Sequence, residues 1–228
     1  MPGVVNFISK GKYSVIALQE VLENQLQDLK EGNPKLKQLG VGRDDGKKKG
    51  EYAPLFYDPA VWTADENEQG TFWLSNTPKI PGSKSWGNTI TRICTWARLI
   101  GKDGRAFYFF NTHWDHKSKN FREKAAELIL ARIKARKNQS EPVILMGDFN
   151  ASTKRASIQT LLTSGLLVDH GGEEQKLSFN RWQPGLRAGA RIDHIFTSPS
   201  IRKANFEVLA DGDPVNSDHH PVELIVED

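Results

Sequence analysis

The sequence predicts a layered α/β (α+β) domain, with sheets covered by helices. Three observations lead there. Short apolar runs rich in β-branched and aromatic residues recur along the chain, bounded by turn residues. Only a few segments carry helical spacing. Neighbouring strand runs are joined by tight turns more often than by helices, which argues against a strictly alternating parallel sheet. The 228 residues suffice for one sizeable core, and no repeat, low-complexity tract or Pro/Ser-rich linker divides them, so 1–228 is read as a single domain.

Val15 to Leu18 is a short apolar run that reads as a buried strand. Leu22, Leu26 and Leu29 then recur at helical spacing, and Gly32-Asn33-Pro34 ends that helix. Lys35 to Val41 and Tyr52 to Tyr57 are predicted strands flanking a polar lysine loop. Val61 to Leu74 is expected to form a hairpin or meander broken by polar residues. Thr91 to Ile100 and Ala106 to Thr112 form a hairpin around Lys102-Asp103-Gly104, with glycine where positive φ is needed. Phe121 to Lys137 is helical through Ala125, Leu128, Ile129 and Ile133. Pro142 to Met146 is a strand, and Ala156 to Leu162 a helix stopped by Gly165. Ile192 to Phe196, Phe206 to Leu209 and Val222 to Val226 complete the strands.

The hydrophobic fraction of 38% and charged fraction of 26% fit a soluble globular chain, and no apolar run is long enough to cross a bilayer. The first residues lack the apolar core and small-residue cleavage site of a secretory signal. Localisation stays open, with the cytoplasm ahead, and a monomer is expected. The single cysteine, Cys94, cannot form an internal disulfide and reads as a buried, inert thiol. A net charge of +3 permits a polyanionic substrate without arguing for one. Lys47-Lys48-Lys49 is read first as a solvated loop, with nucleic-acid contact the alternative.

The polar residues that matter share one placement, at the ends of apolar runs: Gln19-Glu20 after VIAL, His113 and Asp115 after FYFFNT, Asp148 and Asn150 after VILMG, Asp193 in RIDHIF, and Asp218, His219 and His220 before PVELIV. Strand ends gather side chains on one rim, where sites on layered sheets form. Carboxylates, an amide and imidazoles without a thiolate cluster suit Mg²⁺ (or Mn²⁺) better than structural zinc. Gly-rich phosphate loops and a G-x-S-x-G elbow are absent from the sequence.

Five segments, VIALQEV, RDDGKKKGEYAPLFYDP, NTHWDH, MGDFNAS and RIDHIF followed by SDHHPV, occur in an order that resembles the endonuclease/exonuclease/phosphatase superfamily. The resemblance covers nearly the whole chain from Ser14 onward. It implies a DNase I-like four-layer sandwich: two packed mixed sheets flanked by helices. It also implies that Glu20 and Asp218 hold a divalent metal, that Asp148 and Asn150 position and polarise the attacking water, and that His219, paired with Asp193, faces the phosphate. His113 matches the histidine of the N-T-H motif and Glu51 the glutamate expected to pair with it. Arg92 corresponds to an arginine that contacts phosphate.

These roles agree with the chemistry. Ester hydrolysis builds negative charge on the phosphate oxygens, which a cation and positioned donors stabilise. Each residue also has a plainer reading: Glu20 a solvated acid opening a helix, Asp148 and Asn150 turn formers, Asp193 a local cap. His194, His220, Asp115 and His116 are read as structural. Trp114 and Trp182 are expected to pack in the core or a loop, with stacking on a substrate ring the alternative. The resemblance also makes the chain look N-terminally shortened, with too few residues before Glu20 for the family's first strand and helix. Asn6 is then part of a helix or turn rather than a ligand.

The function expected is divalent-metal-dependent hydrolysis of a phosphate ester, a phosphodiester first, with nucleic acid among the candidate substrates. The alternatives are a phosphomonoesterase, or an impaired family member acting as a binding module. A glycosidase is disfavoured, because two carboxyls around one bond would be needed without the imidazoles and amide.

Overall fold

A computed structural model of the chain describes residues 2–172, 177–183, 186, 189–209 and 216–227. Its elements run α1 (Pro2–Lys10), β1 (Val15–Ala17), α2 (Glu23–Gly32), β2 (Lys37–Leu39), β3 (Leu55–Tyr57), β4 (Trp62–Trp73), β5 (Ile93–Gly101), β6 (Ala106–His113), α3 (Lys119–Lys134), β7 (Val143–Asp148), α4 (Ala156–Leu162), β8 (Val168–Asp169), β9 (Asp193–Thr197), β10 (Ala204–Val208) and β11 (Val222–Val226).

Six strands form the central sheet in the order β4-β5-β6-β7-β9-β8. Only β6–β7 is parallel, as it must be when the long helix α3 makes the crossover. Alternation decides which layer each side chain joins. Along β6 and β7, Tyr108, Phe110, Val143 and Leu145 pack against α3 and α4, whereas Phe109, Ile144 and Met146 face the opposite side. There they meet residues of two small antiparallel sheets, β1-β3-β2 and β10-β11. Helices α1 and α2 cover the outer face of the three-stranded sheet through Ile8, Leu26, Leu29 and Phe56. The result is the four-layer mixed sandwich that the family resemblance implied.

Helix α3 shows why the layers hold. The Ser118 hydroxyl accepts from the Phe121 backbone N–H at 3.1 Å and caps the first turn. Phe121, Ala125, Ile129 and Ile133 then repeat every four residues and are all buried. Burying a large apolar side chain contributes about 1.5–3 kcal/mol, so this stripe, more than intrinsic propensity, fixes the helix.

One expectation is corrected and one strand is new. Val61 to Leu74 does not turn back on itself. It is one strand, β4, paired with β5 on either side of a register shift between Ala64 and Gln69. The polar residues Asp65 to Glu68 mark that irregularity, because an exposed edge strand tolerates unpaired residues at a bulge. The two-residue strand β8 escaped prediction because it is too short for a period to emerge.

Gly147, in β7, has a definite structural task. Its φ is 147°, and a Cβ there would run into the Thr112 carbonyl oxygen of the adjacent strand. Gly147→Ala is therefore expected to destabilise the fold by at least about 1–3 kcal/mol, the usual cost of overpacking. Urea denaturation checks this; an unchanged midpoint would show that β6 can move aside.

Candidate active site

Strand register creates the centre of the site. His113 ends β6, Asp148 ends β7 and Asp193 begins β9, and the pairings His113↔Asp148 and Asp148↔Asp193 set the three in one row across neighbouring strands. A one-residue slip would turn these side chains to the other face and bury the wrong hydrophobic set, so the core pattern itself fixes the row.

Around this row the loops bring the remaining residues. His219 precedes β11, and its Nδ1 lies 2.8 Å from Asp193 Oδ2. Asn150, with φ 47°, curls back on β7: its backbone N–H donates to Asp148 Oδ1 at 2.7 Å, and its side-chain amide donates to Asp148 Oδ2 at 3.1 Å and to the Trp114 carbonyl at 3.0 Å. The Asp148 carboxylate is thus held at both oxygens. Glu20 also has a left-handed backbone, φ 59°, and its Oε1 stands 3.8 Å from His113 Nε2. His113 Nε2 is in turn 3.5 Å from Asp148 Oδ2.

Arg92, immediately before β5, is buried beneath His113, with Nη1 2.8 Å from each ring nitrogen and Nη2 3.3 Å from His116 Nδ1. Glu51 falls in the same cluster as His113 and Glu20, their ligand atoms all within 4.8 Å of one another. Its carboxylate is engaged by the Arg43 guanidinium. Asp218 lies close enough for its charge to act on Glu20.

The electrostatics divide these groups. Burial, with Arg92 and Arg43 nearby, holds the His113 pKa well below the ordinary value, so the ring is neutral and can accept from Arg92. Burial opposes a charge on His219, but its hydrogen bond to Asp193 and the Asp148 and Asp218 carboxylates push its pKa up to about 9. It is an imidazolium at neutral pH. Burial and the adjacent Asp193 push Asp148 up to about 7. Burial, Glu51 and Asp218 raise Glu20 as well.

All nine predicted site residues converge on this rim. The readings of the neighbours also stand in three cases. His194 is buried, with Nε2 2.8 Å from the Ala151 carbonyl. Asp115 shapes the following loop by accepting from the Lys117 and Ser118 backbone N–H groups. Trp114 is fully buried against Phe149. Trp182 departs from its expected packing: it is 60% exposed.

Sequence reasoning missed the supports. Asn111, wholly buried two residues before His113, accepts from Gln19 Nε2 at 2.7 Å and donates to the Leu18 and Pro54 carbonyls at 2.8 and 2.9 Å. One amide thereby ties the segment carrying Glu20 to the central sheet. The Ser178 hydroxyl accepts from the Ile192 and Asp193 N–H groups at 2.9 and 3.1 Å. Asn180 donates through Nδ2 to the Ser217 carbonyl at 3.0 Å. The available signal was an asparagine inside an otherwise apolar strand run, since a buried amide must be hydrogen-bonded.

Comparison with known proteins gives the family of the chain. The profile of the Endonuclease/Exonuclease/phosphatase family matches residues 2–219. A solved structure of an endonuclease/exonuclease/phosphatase family protein from Bacteroides thetaiotaomicron is 35% identical, with a TM-score of 0.90 over 98% of this chain and 84% of the other. A mannosyl-6-phosphatase from the same organism is also 35% identical, with a TM-score of 0.89 over 98% of this chain and 90% of its own. A homologue from Bacteroides vulgatus is 33% identical, TM-score 0.89, covering 99% and 89%. No curated protein matches.

Proposed function

This chain belongs to the endonuclease/exonuclease/phosphatase family, and we propose that its site hydrolyses a phosphate ester by attack of water on phosphorus. The observation that carries the proposal is the opposed pair of tuned groups. Asp148 is a carboxylate whose proton affinity is raised towards neutrality, and His219 is a cation held by Asp193. A general base works best with a pKa near the operating pH, and an imidazolium beside a phosphate stabilises developing negative charge.

In this reading Asp148, oriented at both oxygens by Asn150, takes a proton from the attacking water. The P–O bond to the leaving group breaks as the new P–O bond forms, and the leaving oxygen takes a proton from solvent. His219, with Nδ1 committed to Asp193, offers Nε2 as a donor to the phosphate oxygens. His113, neutral and backed by Arg92, supplies a further polar contact. Arg92 adds positive charge beneath the phosphate.

The donor set fits a divalent cation. Glu20, Glu51 and Asp218 are like charges close enough to raise the Glu20 pKa, a repulsion that a cation would relieve. Hard oxygen donors with an imidazole favour Mg²⁺ or Mn²⁺. Glu20 and Asp218 would hold the ion, which would supply Lewis-acid stabilisation of the phosphate charge. Glu20→Gln is expected to raise the Mg²⁺ concentration for half-maximal activity by more than the roughly ten- to hundredfold that losing an outer partner costs. A superimposable Mg²⁺ titration would reject Glu20 as a ligand.

Among phosphate esters, similarity to the mannosyl-6-phosphatase supports a sugar phosphomonoester ahead of the phosphodiester expected from sequence. Initial rates on mannose 6-phosphate, 4-nitrophenyl phosphate and bis-(4-nitrophenyl) phosphate test the choice. The monoesters should turn over faster; exclusive cleavage of the diester would restore the first expectation.

A further inference from the structure

Beside the catalytic loop stands an aromatic side chain that the chemistry above does not use. Trp182 is 60% exposed, although indole is among the more costly side chains to leave in water. Its backbone is also strained: Arg181 and Trp182 have φ of 57° and 59°, two successive non-glycine residues in the left-handed region. Such a residue is unfavourable by itself and persists only where its surroundings over-determine it.

What over-determines it is the loop that carries His219. Asn180, completely buried, accepts from the Trp182 N–H at 2.8 Å through Oδ1 and donates to the Ser217 carbonyl at 3.0 Å. The Asn180 and Arg181 N–H groups donate to the Asp218 carbonyl at 2.7 and 3.1 Å. Phe179 bridges to His219 in backbone pairing, with the two rings 4.9 Å apart, and the Arg181 guanidinium lies 5.6 Å over the Phe179 ring. The strained turn is therefore bound to Asp218 and His219, which in the reading above would hold the cation and donate to the phosphate. The turn so held carries an exposed indole, and its backbone is bonded to the residue that precedes His219.

We infer that Trp182 is the substrate-specificity residue, stacking on the ring of a sugar phosphate whose phosphate lies at His219 and Asp148. The inference rests on the sugar phosphomonoester reading. A pyranose has one face of axial C–H groups that lies against an indole, while its hydroxyls project sideways into water. A single exposed aromatic face is enough for such a ring.

The test compares kcat/KM for mannose 6-phosphate with that for methyl phosphate, which has no ring, in wild type, Trp182→Ala and Trp182→Phe. The expected result is a fall of about tenfold in the mannose 6-phosphate to methyl phosphate ratio for Trp182→Ala, carried by KM rather than kcat, and recovery of most of the ratio in Trp182→Phe. An equal loss on both esters, or a kcat-borne loss, would mean that the indole only supports the His219 loop and would overturn the inference. So would an unchanged ratio. Wild-type enzyme that cleaves methyl phosphate but not mannose 6-phosphate would overturn the sugar reading and the inference with it. If a single-stranded oligonucleotide alone lost cleavage in Trp182→Ala, the platform would be for a base, and the inference would again fall.

Discussion

Asp148→Asn should lower kcat by about 10²–10⁴-fold, the range a positioned general base contributes. Asparagine has the same shape and can keep one of the hydrogen bonds that Asn150 now makes to the carboxylate, so the row across β6, β7 and β9 should persist. The same substitution should also stabilise the protein. Asp148 has its pKa raised from the ordinary carboxylate range to about 7, by burial first and by Asp193 second. A group raised in the folded state favours folding at low pH, and that contribution disappears as pH climbs from the unfolded value through the folded one. Wild type therefore carries a penalty that grows between about pH 4 and 7, and the uncharged asparagine removes it. In EDTA at pH 8 the variant should melt at a higher temperature than wild type while turning over far more slowly. An active variant would end the assignment of Asp148 as base. A slow variant with a lowered melting temperature would attribute the loss to misfolding instead.

Asp193→Asn should produce the other large effect. The Asp193 carboxylate is the main partner that keeps His219 cationic against its burial. Without it the imidazole pKa should fall from about 9 towards or below its ordinary value, and the tautomer is no longer fixed. The alkaline limb of the pH–rate profile should move down by as much as about two units, with kcat at pH 8 falling by a factor of the order of 10² or more. The linkage has a definite sign. A raised histidine pKa stabilises the fold below about pH 6.5, and that stability is lost as pH rises through about 9. Asp193→Asn removes the gain, so the variant should be less stable than wild type at pH 6 and closer to it at pH 9.5. An unmoved alkaline limb would mean that His219 is not the group titrating there.

Much of this arrangement is legible in the sequence because the core writes it there. VILMGD is apolar on both faces since β7 is buried in the middle of the central sheet, and the polar residues that follow can only emerge at its end. The same logic delivers His113 from FYFFNTH. The row His113, Asp148 and Asp193 is less visible, because it depends on register between strands far apart in the chain. Asn111, Ser178 and Asn180 were missed for a related reason. Their importance comes from carbonyls and amides brought to them by other elements, and a single asparagine or serine carries no periodic signal. The interrupted strand β4 was misread because its polar residues look like a turn locally, while pairing with β5 on either side of the shift holds it straight. Trp182 was misread because side-chain type alone suggests packing, whereas the left-handed turn that carries it depends on contacts of Asn180 and Arg181 with Ser217 and Asp218.

The central claim is that water attacks phosphorus at this site with a divalent cation present. Hydrolysis of mannose 6-phosphate in ¹⁸O-labelled water, with Mg²⁺ and with excess EDTA, tests it most directly. One labelled oxygen is expected in the released phosphate, none at the C6 hydroxyl of the sugar, and no release in EDTA. Label at the C6 hydroxyl, or release that continues undiminished in EDTA, would contradict it.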